Sequence, residues 1–243
     1  MSLSAFYLPG RDWKRECALT GEEARHFQAL RIRKDEKILI LDGRGNTGVC
    51  RVLETGRREI RLEILETKTT PEPASRPIIA IALSKAARRG FFLEKAAELG
   101  AWEVWLWQAR RSQGHIDEKL RQACEGQLRA GAKQCRNPWF PRLVPAGNAE
   151  KLAALAQSCP RRILPWEEKA GEAAISLAQL GNPGNTVYAI GPEGGLAEDE
   201  VSALTGAGFE LVSLGERVLR CETAATLCLG LHWWASQLKE TAR

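Results

Sequence analysis

Two glycine-bearing segments, IGPEGGL at residues 190–196 and LGERVLRCETA at residues 214–224, decide the fold of this chain. Each follows a short apolar run and precedes a helical pattern. Glycine allows the sharp backbone turn that is needed where a strand ends and another element begins. Open α/β sheets bind their ligands at such turns. The pair of segments therefore predicts a ligand site at the strand ends of an α/β domain.

The sequence on either side of these segments alternates apolar runs with helical patterns. Residues 78–83, IIAIAL, are nearly all apolar, as expected of a strand covered on both faces. The same rhythm predicts strands at 104–107, 161–165 and 186–190 and helices at 117–135, 197–207 and 222–238. Strand–helix alternation of this kind predicts a parallel sheet in an α/β domain.

The last helix is predicted to be amphipathic. Its apolar residues follow the i, i+3, i+4, i+7 spacing of one helix face. They are Ala224, Leu227, Cys228, Leu231, Trp234 and Leu238.

The first part of the chain is predicted to be small and mostly β. Apolar or alternating runs indicate strands at 37–41, 49–54 and 60–65. A helix is predicted to start near Thr20, with Ala24, Phe27 and Leu30 on one face. The proline-rich, polar stretch at 66–77 is interpreted as a linker. This predicts two domains, at residues 1–70 and 71–243.

Length and composition favour an ordinary globular protein. The chain has 243 residues, 44% of them hydrophobic, and no apolar run approaches the roughly 20 residues that span a bilayer. The N-terminus lacks the basic start and apolar core of a signal peptide. A cytoplasmic protein without a membrane segment is expected.

The cysteines and histidines do not indicate a metal site. The seven cysteines include no CxxC pair, and the three histidines lie far apart. Structural zinc usually needs four ligands in close-set pairs. Free, mostly buried thiols and no metal are therefore expected.

The positive charge is clustered, although the net charge is only +5. One cluster runs from Arg31 to Lys37, a second from Lys85 to Arg89 and a third from Arg129 to Arg136. A single cluster is usually a solvated face, but three of them raise the prospect of a phosphate-rich partner. Signatures of P-loop nucleotide hydrolysis, of GxGxxG dinucleotide binding and of the GxSxG hydrolase elbow are absent from the sequence.

Arg220 and Glu222 flank Cys221 at the predicted start of the last helix. Two interpretations stay open from spacing alone. The pair could form an ordinary ion pair with a helix cap, or the two side chains could act in catalysis. The acids Glu198 and Asp199, with Glu200, are interpreted as structural charges in the first turn of another helix.

These residues resemble a known family. IGPEGGLAEDEV followed by LGERVLRCETAA is similar to the signature pair of the bacterial 16S ribosomal RNA (uracil-N3)-methyltransferases, which belong to the SPOUT class. Similar blocks occur upstream, at 83–100 and 133–141 and around His26, Leu30 and Arg31. Lys133 and Cys135 depart from the family pattern, as does the stretch at 108–110.

The resemblance implies a C-terminal α/β SPOUT domain with a parallel sheet and a trefoil knot, after a small N-terminal PUA-like β-barrel. It implies S-adenosyl-L-methionine as cofactor, a homodimer, and the 16S rRNA of the small ribosomal subunit as partner. The implied cofactor-binding residues are Ile190, Gly191, Pro192, Glu193, Gly194, Gly195, Ser213, Leu214, Gly215, Val218 and Leu219. The implied catalytic residues are Arg220 and Glu222, and the implied RNA-binding residues are Arg31, Arg33, Lys85, Arg88 and Arg136. Arg136 is expected to enter the active site from the partner subunit.

The residue types suit methyl transfer to N3 of uracil. That nitrogen must lose its proton before it attacks the methyl group. An arginine favours the developing anion, and a carboxylate can hold the arginine or accept the proton. The base must be unpaired or flipped out when it enters the site. The alternatives are a SPOUT methyltransferase for another RNA and an RNA-binding protein that has lost catalysis.

Overall fold

A computed structural model describes residues 3–166 and 180–241. The chain divides into two compact units. The first unit comprises Met1–Glu72 with Ala132–Phe140, and the second comprises Pro73–Gly131 with Pro141–Arg243.

The first unit is a curled five-stranded sheet with one α-helix. Its strands are β1 (Ala5–Tyr7), β2 (Glu16–Thr20), β3 (Lys37–Leu41), β4 (Asn46–Thr55) and β5 (Glu59–Thr69), and its helix is α1 (Gly21–Ala29). The strand order is β1-β3-β4-β5-β2. Neighbouring strands are antiparallel except β1 and β3. Within the described residues the two edge strands, β1 and β2, do not pair with each other, so the sheet forms a half-barrel. Its core includes Phe6, Phe27 and Ile38.

The prediction of a linker at 66–77 is wrong at both ends. Strand β5 continues to Thr69, and the next strand begins at Ser75. Residues 66–69 pair with β4 through the backbone while their side chains are exposed. Backbone pairing needs no apolar side chains, so this part of the strand left no hydrophobic pattern in the sequence.

Leu30 does not join the buried face of α1. Ala24 and Phe27 are buried as predicted, but Leu30 is 44% exposed. The helix ends at Ala29, and Arg31 adopts a left-handed backbone conformation with φ 55°. The chain therefore turns away before Leu30 can pack.

The second unit is a six-stranded sheet with helices on both faces. Its strands are β6 (Ser75–Ala82), β7 (Glu103–Trp107), β8 (Arg142–Gly147), β9 (Arg161–Pro165), β10 (Gly184–Ile190) and β11 (Glu210–Val212). The other α-helices of the described residues are α2 (Ala86–Glu98), α3 (Glu118–Cys135), α4 (Ala149–Leu155), α5 (Glu198–Gly206) and α6 (Cys221–Thr241). The strand order is β11-β9-β10-β6-β7-β8. Every neighbouring pair is parallel, so the predicted α/β fold with a parallel sheet is confirmed.

Burial on both faces explains why the central strand β6 is apolar at consecutive positions from Ile78 to Ala82. Ile79 and Ile81 point into a core shared with α2, α3 and α6. Ile78 and Ala80 point into the opposite core, shared with α4 and α5. A strand buried on both faces needs apolar residues at consecutive positions rather than at alternate ones.

Helix α6 buries only part of its predicted apolar stripe. Ala224 and Cys228 are buried, whereas Trp234 and Leu238 are each 52% exposed. The second half of the helix thus presents large apolar side chains at the surface. Of the helices in residues 3–166 and 180–241, none combines the length and apolarity needed to cross a membrane.

A buried histidine connects α6 to two strands. Tyr188 Oη lies 2.9 Å from His232 Nδ1, and Ser75 Oγ lies 2.8 Å from His232 Nε2. The Ser75 hydroxyl donates to the Asn182 carbonyl at 2.7 Å, so Ser75 Oγ accepts from the Nε2–H of the histidine. Nδ1 is then the acceptor for the Tyr188 hydroxyl. Burial raises the pKa of Tyr188, which keeps that hydroxyl protonated as the donor.

Removal of the Tyr188 hydroxyl tests this chain of hydrogen bonds. Tyr188→Phe leaves a buried acceptor unpaired and is expected to lower the free energy of unfolding by about 1–3 kcal/mol. Urea denaturation followed by circular dichroism measures the change. Ser202→Ala, which removes an exposed hydroxyl of α5, is the control and should cost less than about 0.5 kcal/mol. Equal stability of Tyr188→Phe and the wild type would contradict a stabilising role of the Tyr188–His232 hydrogen bond.

Candidate active site

The two glycine-bearing segments meet because of the strand order. The first follows β10, the second follows β11, and β9 lies between these strands. Parallel strands bring their carboxyl ends to the same edge of the sheet, so the segments that follow β9, β10 and β11 lie side by side at that edge. They line a cleft with two overlapping parts of about 500 Å³ and about 410 Å³, both of them open to solvent. Pro165, Trp166, Val218, Leu219 and Ala224 line both parts.

The segment after β10 makes a tight turn. Gly195 donates its backbone N–H to the Pro192 carbonyl at 3.0 Å and has φ 72°, a conformation that favours glycine. Arg111 donates to the Gly194 carbonyl at 2.7 Å. The turn is thus fixed by its own backbone and by an arginine from the segment after β7.

The segment after β11 is open toward the cleft. Gly215 has φ 109°, and no atom within 4 Å would meet a Cβ there. Ser213 Oγ accepts the Gly215 N–H at 3.1 Å, which explains why the serine is buried behind the loop. Val218 lines both parts of the cleft although it is 82% exposed. An apolar side chain this exposed in a concave site suits contact with a ligand.

Trp166 is a cleft residue that the sequence analysis missed. It follows β9 directly, and its backbone N–H donates to the Val212 carbonyl of β11 at 3.1 Å. Its position at the end of a predicted strand was the only signal available. Pro165, Leu196, Cys221 and Ala224 are further lining residues that were not predicted, and Arg217, within the implied pocket segment 214–219, lines the cleft as well.

Arg88 of α2 joins the segment after β10 to the start of α6. Its guanidinium contacts the Glu193 carboxylate, and its Nε lies 3.9 Å from Glu222 Oε1. Cys221 Sγ donates to Glu222 at 3.3 Å. Burial, together with this carboxylate, raises the pKa of the Cys221 thiol. The thiol therefore stays protonated and is a poor nucleophile.

Glu193, Cys221 and Glu222 lie close enough to share a cation. Their ligand atoms fall within 4.8 Å of one another. The Arg88 guanidinium already supplies a positive charge to both carboxylates.

Arg220 and Glu222 do not form the ordinary ion pair that was one of the two interpretations of their spacing. Glu222 is 8% exposed and faces Arg88. Arg220 is exposed, just before α6, and takes part in none of the ion pairs in the described part of the chain. Its carbonyl accepts the Ala224 N–H at 2.9 Å, so the backbone begins the helix while the side chain is left for other contacts.

The acids at the start of α5 are structural, as predicted. Glu200 accepts hydrogen bonds from the backbone N–H of Ala197 at 3.0 Å and of Arg110 at 2.8 Å. Asp199 pairs with the Arg110 side chain. These contacts hold the segment after β7 against the start of α5.

The structure brings most of the predicted cofactor-binding residues to the cleft. Those that line it are Ile190, Gly191, Pro192, Glu193, Gly195, Leu214, Gly215, Val218 and Leu219. Gly194 and Ser213 do not line it and support the loops from behind.

The predicted RNA-binding residues are divided between the units. Arg31, Arg33 and Arg136 are exposed in the first unit, while Lys85 and Arg88 belong to the second. Arg136 donates to the Leu3 carbonyl at 2.8 Å. Lys133, which departs from the family pattern, pairs with Glu23 at 2.6 Å in a nearly buried contact. That contact gives Lys133 a structural role.

Comparison with known proteins agrees with this geometry. The model of the family described as "RNA methyltransferase domain" matches residues 70–233, and that of the "RNA methyltransferase PUA domain" matches residues 19–65. The ribosomal RNA small subunit methyltransferase E of Mycobacterium bovis is 33% identical over 223 residues, covering 86% of this chain and 83% of the relative. The protein of the same name from Bacillus subtilis is 26% identical and covers 91% of each chain.

A solved structure has the same fold. It is a ribosomal RNA small subunit methyltransferase E from Neisseria gonorrhoeae bound to S-adenosyl methionine, with 25% identity and a TM-score of 0.81. The match covers 94% of this chain and 96% of that one. With the family matched over residues 70–233 and a relative 33% identical along most of its length, this chain belongs to the RNA methyltransferase family.

Proposed function

We propose that this protein transfers the methyl group of S-adenosyl-L-methionine to N3 of a uridine in the 16S rRNA of the small ribosomal subunit. The observation that carries the proposal is that the segments after β9, β10 and β11 line a single cleft. The names of the relatives and the cofactor in the Neisseria gonorrhoeae structure support it.

The cleft suits the proposed cofactor in shape and chemistry. No atom lies within 4 Å of the position that a Cβ of Gly215 would occupy, so no side chain blocks a close approach to the main chain there. Trp166, Val218 and Leu219 offer flat or apolar surface for an adenine ring and the aliphatic part of the molecule. When bound, the cofactor supplies a methyl group made electrophilic by its sulfonium. A trefoil knot around these segments is part of the proposal and is supported by the resemblance to SPOUT enzymes.

Arg220 and Glu222 are the proposed catalytic residues. Arg220 has no ion-pair partner among the described residues, so its charge is available to the oxygens of a uracil anion. Glu222 is buried with one face toward Cys221 and another toward Arg88, which fixes its carboxylate at the start of α6. Its proposed role is to hold the site or to accept the N3 proton.

The proposed partner is ribosomal RNA held by both units. Exposed Arg31 and Arg33 in the first unit, with Arg136, provide positive charge for phosphates, as does Lys85 in the second. Contacts of this kind recognise the RNA backbone and shape rather than base sequence. Since the substrate is the ribosomal subunit, we place the protein in the cytoplasm.

A homodimer completes the proposal. Trp233, Trp234 and Leu238 leave apolar surface exposed on one stretch of α6, and large exposed apolar patches mark interaction sites. The resemblance implies that Arg136 enters the site of the partner subunit in such a dimer.

Replacing Arg220 is expected to separate binding from catalysis. Arg220→Ala should leave the affinity for S-adenosyl-L-methionine close to wild type and lower turnover by about 100-fold, the usual effect of losing one group that stabilises a developing anion. Calorimetry gives the affinity and single-turnover transfer gives the rate. Arg121→Ala, on the exposed side of α3, is the control. Comparable losses of affinity and rate would mean that Arg220 is a structural cap.

The position of methylation can be tested directly. Small subunits that lack the modification, incubated with labelled cofactor and the protein, are expected to yield labelled 3-methyluridine after nuclease digestion. Label on transfer RNA would assign the enzyme to another RNA. Label on ribose or on C5 would exclude N3 transfer. Absence of cofactor binding by the wild type would favour an RNA-binding protein without catalysis.

The oligomeric state has a separate test. Light scattering is expected to give a particle of twice the 26.9 kDa chain mass. Trp234→Glu, which places a charge in the exposed apolar stretch of α6, should shift the particle toward the monomer because an unpaired charge is costly in an interface. A monomeric wild type would refute the proposed dimer.

A further inference from the structure

Arg88 holds together two parts of the cleft that are far apart in the sequence. Glu193 belongs to the segment after β10 and lines the cleft, while Glu222 is the second residue of α6. Arg88 contacts the first carboxylate and lies 3.9 Å from the second. Its side chain is 28% exposed, like that of Glu193, and that of Glu222 is 11% exposed. The three charges are thus partly shielded from water.

The two carboxylates need a cation between them. Their oxygens and the Cys221 sulfur lie within 4.8 Å of one another. At this distance and burial two negative charges repel strongly enough to separate the groups or to bind a proton. A guanidinium offers donors in several directions of one plane, so it can pair with two carboxylates at once.

We propose that Arg88 is a positioning residue for methyl transfer, which sets the distance between the segment after β10 and the start of α6. Through Glu193, Arg88 fixes the shape of the cofactor cleft. Through Glu222, it fixes the position of the carboxylate that faces the substrate. This assignment rests on the proposed function and adds to it a residue outside the cleft lining. It gives Arg88 a role within the protein that differs from direct contact with RNA.

The test compares Arg88→Gln with Arg88→Lys. Arg88→Gln leaves Glu193 and Glu222 without their shared cation and should weaken S-adenosyl-L-methionine binding about fivefold, as expected for a partly exposed ion pair. Turnover at saturating cofactor should fall further, by about tenfold, because the reacting groups are misplaced. Arg88→Lys restores the charge without the planar fork, so it should recover most of the affinity and less of the turnover.

A double substitution separates this role from a general loss of structure. In the Arg88→Gln background, Glu193→Gln removes one of the two facing charges and should recover about threefold of the lost affinity, a typical coupling between contacting charges. In the wild-type background the same change should weaken binding. This reversal of sign is not expected if Arg88 merely stabilises the fold.

A control variant and separate contrary results complete the test of Arg88. Arg121→Gln removes a half-exposed arginine that pairs within α3, and it should change neither affinity nor turnover. Wild-type affinity and turnover in Arg88→Gln would overturn the assignment, as would independent effects of Arg88→Gln and Glu193→Gln. Absence of cofactor binding by the wild type would instead overturn the proposed function, and this assignment with it.

Discussion

The site depends on one constraint of sheet topology, the position of β9 between β10 and β11. These strands are parallel, so three connections from distant parts of the chain reach the same edge. Two of the connections carry the glycine-bearing segments, and the third supplies Trp166. A different strand order would leave the same motifs farther apart along this edge, where they could not line one cleft.

Hydrogen bonds and ion pairs then hold these connections in place. Arg111 binds a carbonyl of the segment after β10, Arg88 binds the carboxylate of Glu193, and Glu200 ties the segment after β7 to α5. Each contact joins elements that are not neighbours in sequence. The glycines can therefore remain open to a ligand because their loops are held by contacts from behind rather than by their own side chains.

Sequence patterns predicted the parts of the fold in which burial alone decides the structure. The run at 78–83 and the strands and helices after it are apolar because both sheet faces are covered, and the structure confirms them. The exposed end of β5 and the strand β2 form through backbone pairing and left no such pattern. Trp166 was missed for a related reason, since strand order is set by long-range packing and cannot be inferred from local spacing.

The sequence identified the two glycine-bearing loops that line the cleft, but not the side-chain contacts around them. The two segments were identified because glycine carries a local conformational requirement. The pairing of Glu222 with Arg88, rather than with Arg220, depends on where α2 lies against α6. Spacing in the sequence holds no information on that contact.

Helix α6 carries both the start of the site and the buried histidine. Glu222 stands near its first residue, and His232 lies about three turns further along the same continuous helix. A helix transmits a shift of its axis almost rigidly over this length. The hydrogen bonds of His232 with Tyr188 and Ser75 therefore anchor, in its middle, the same helix that carries Glu222 at its start.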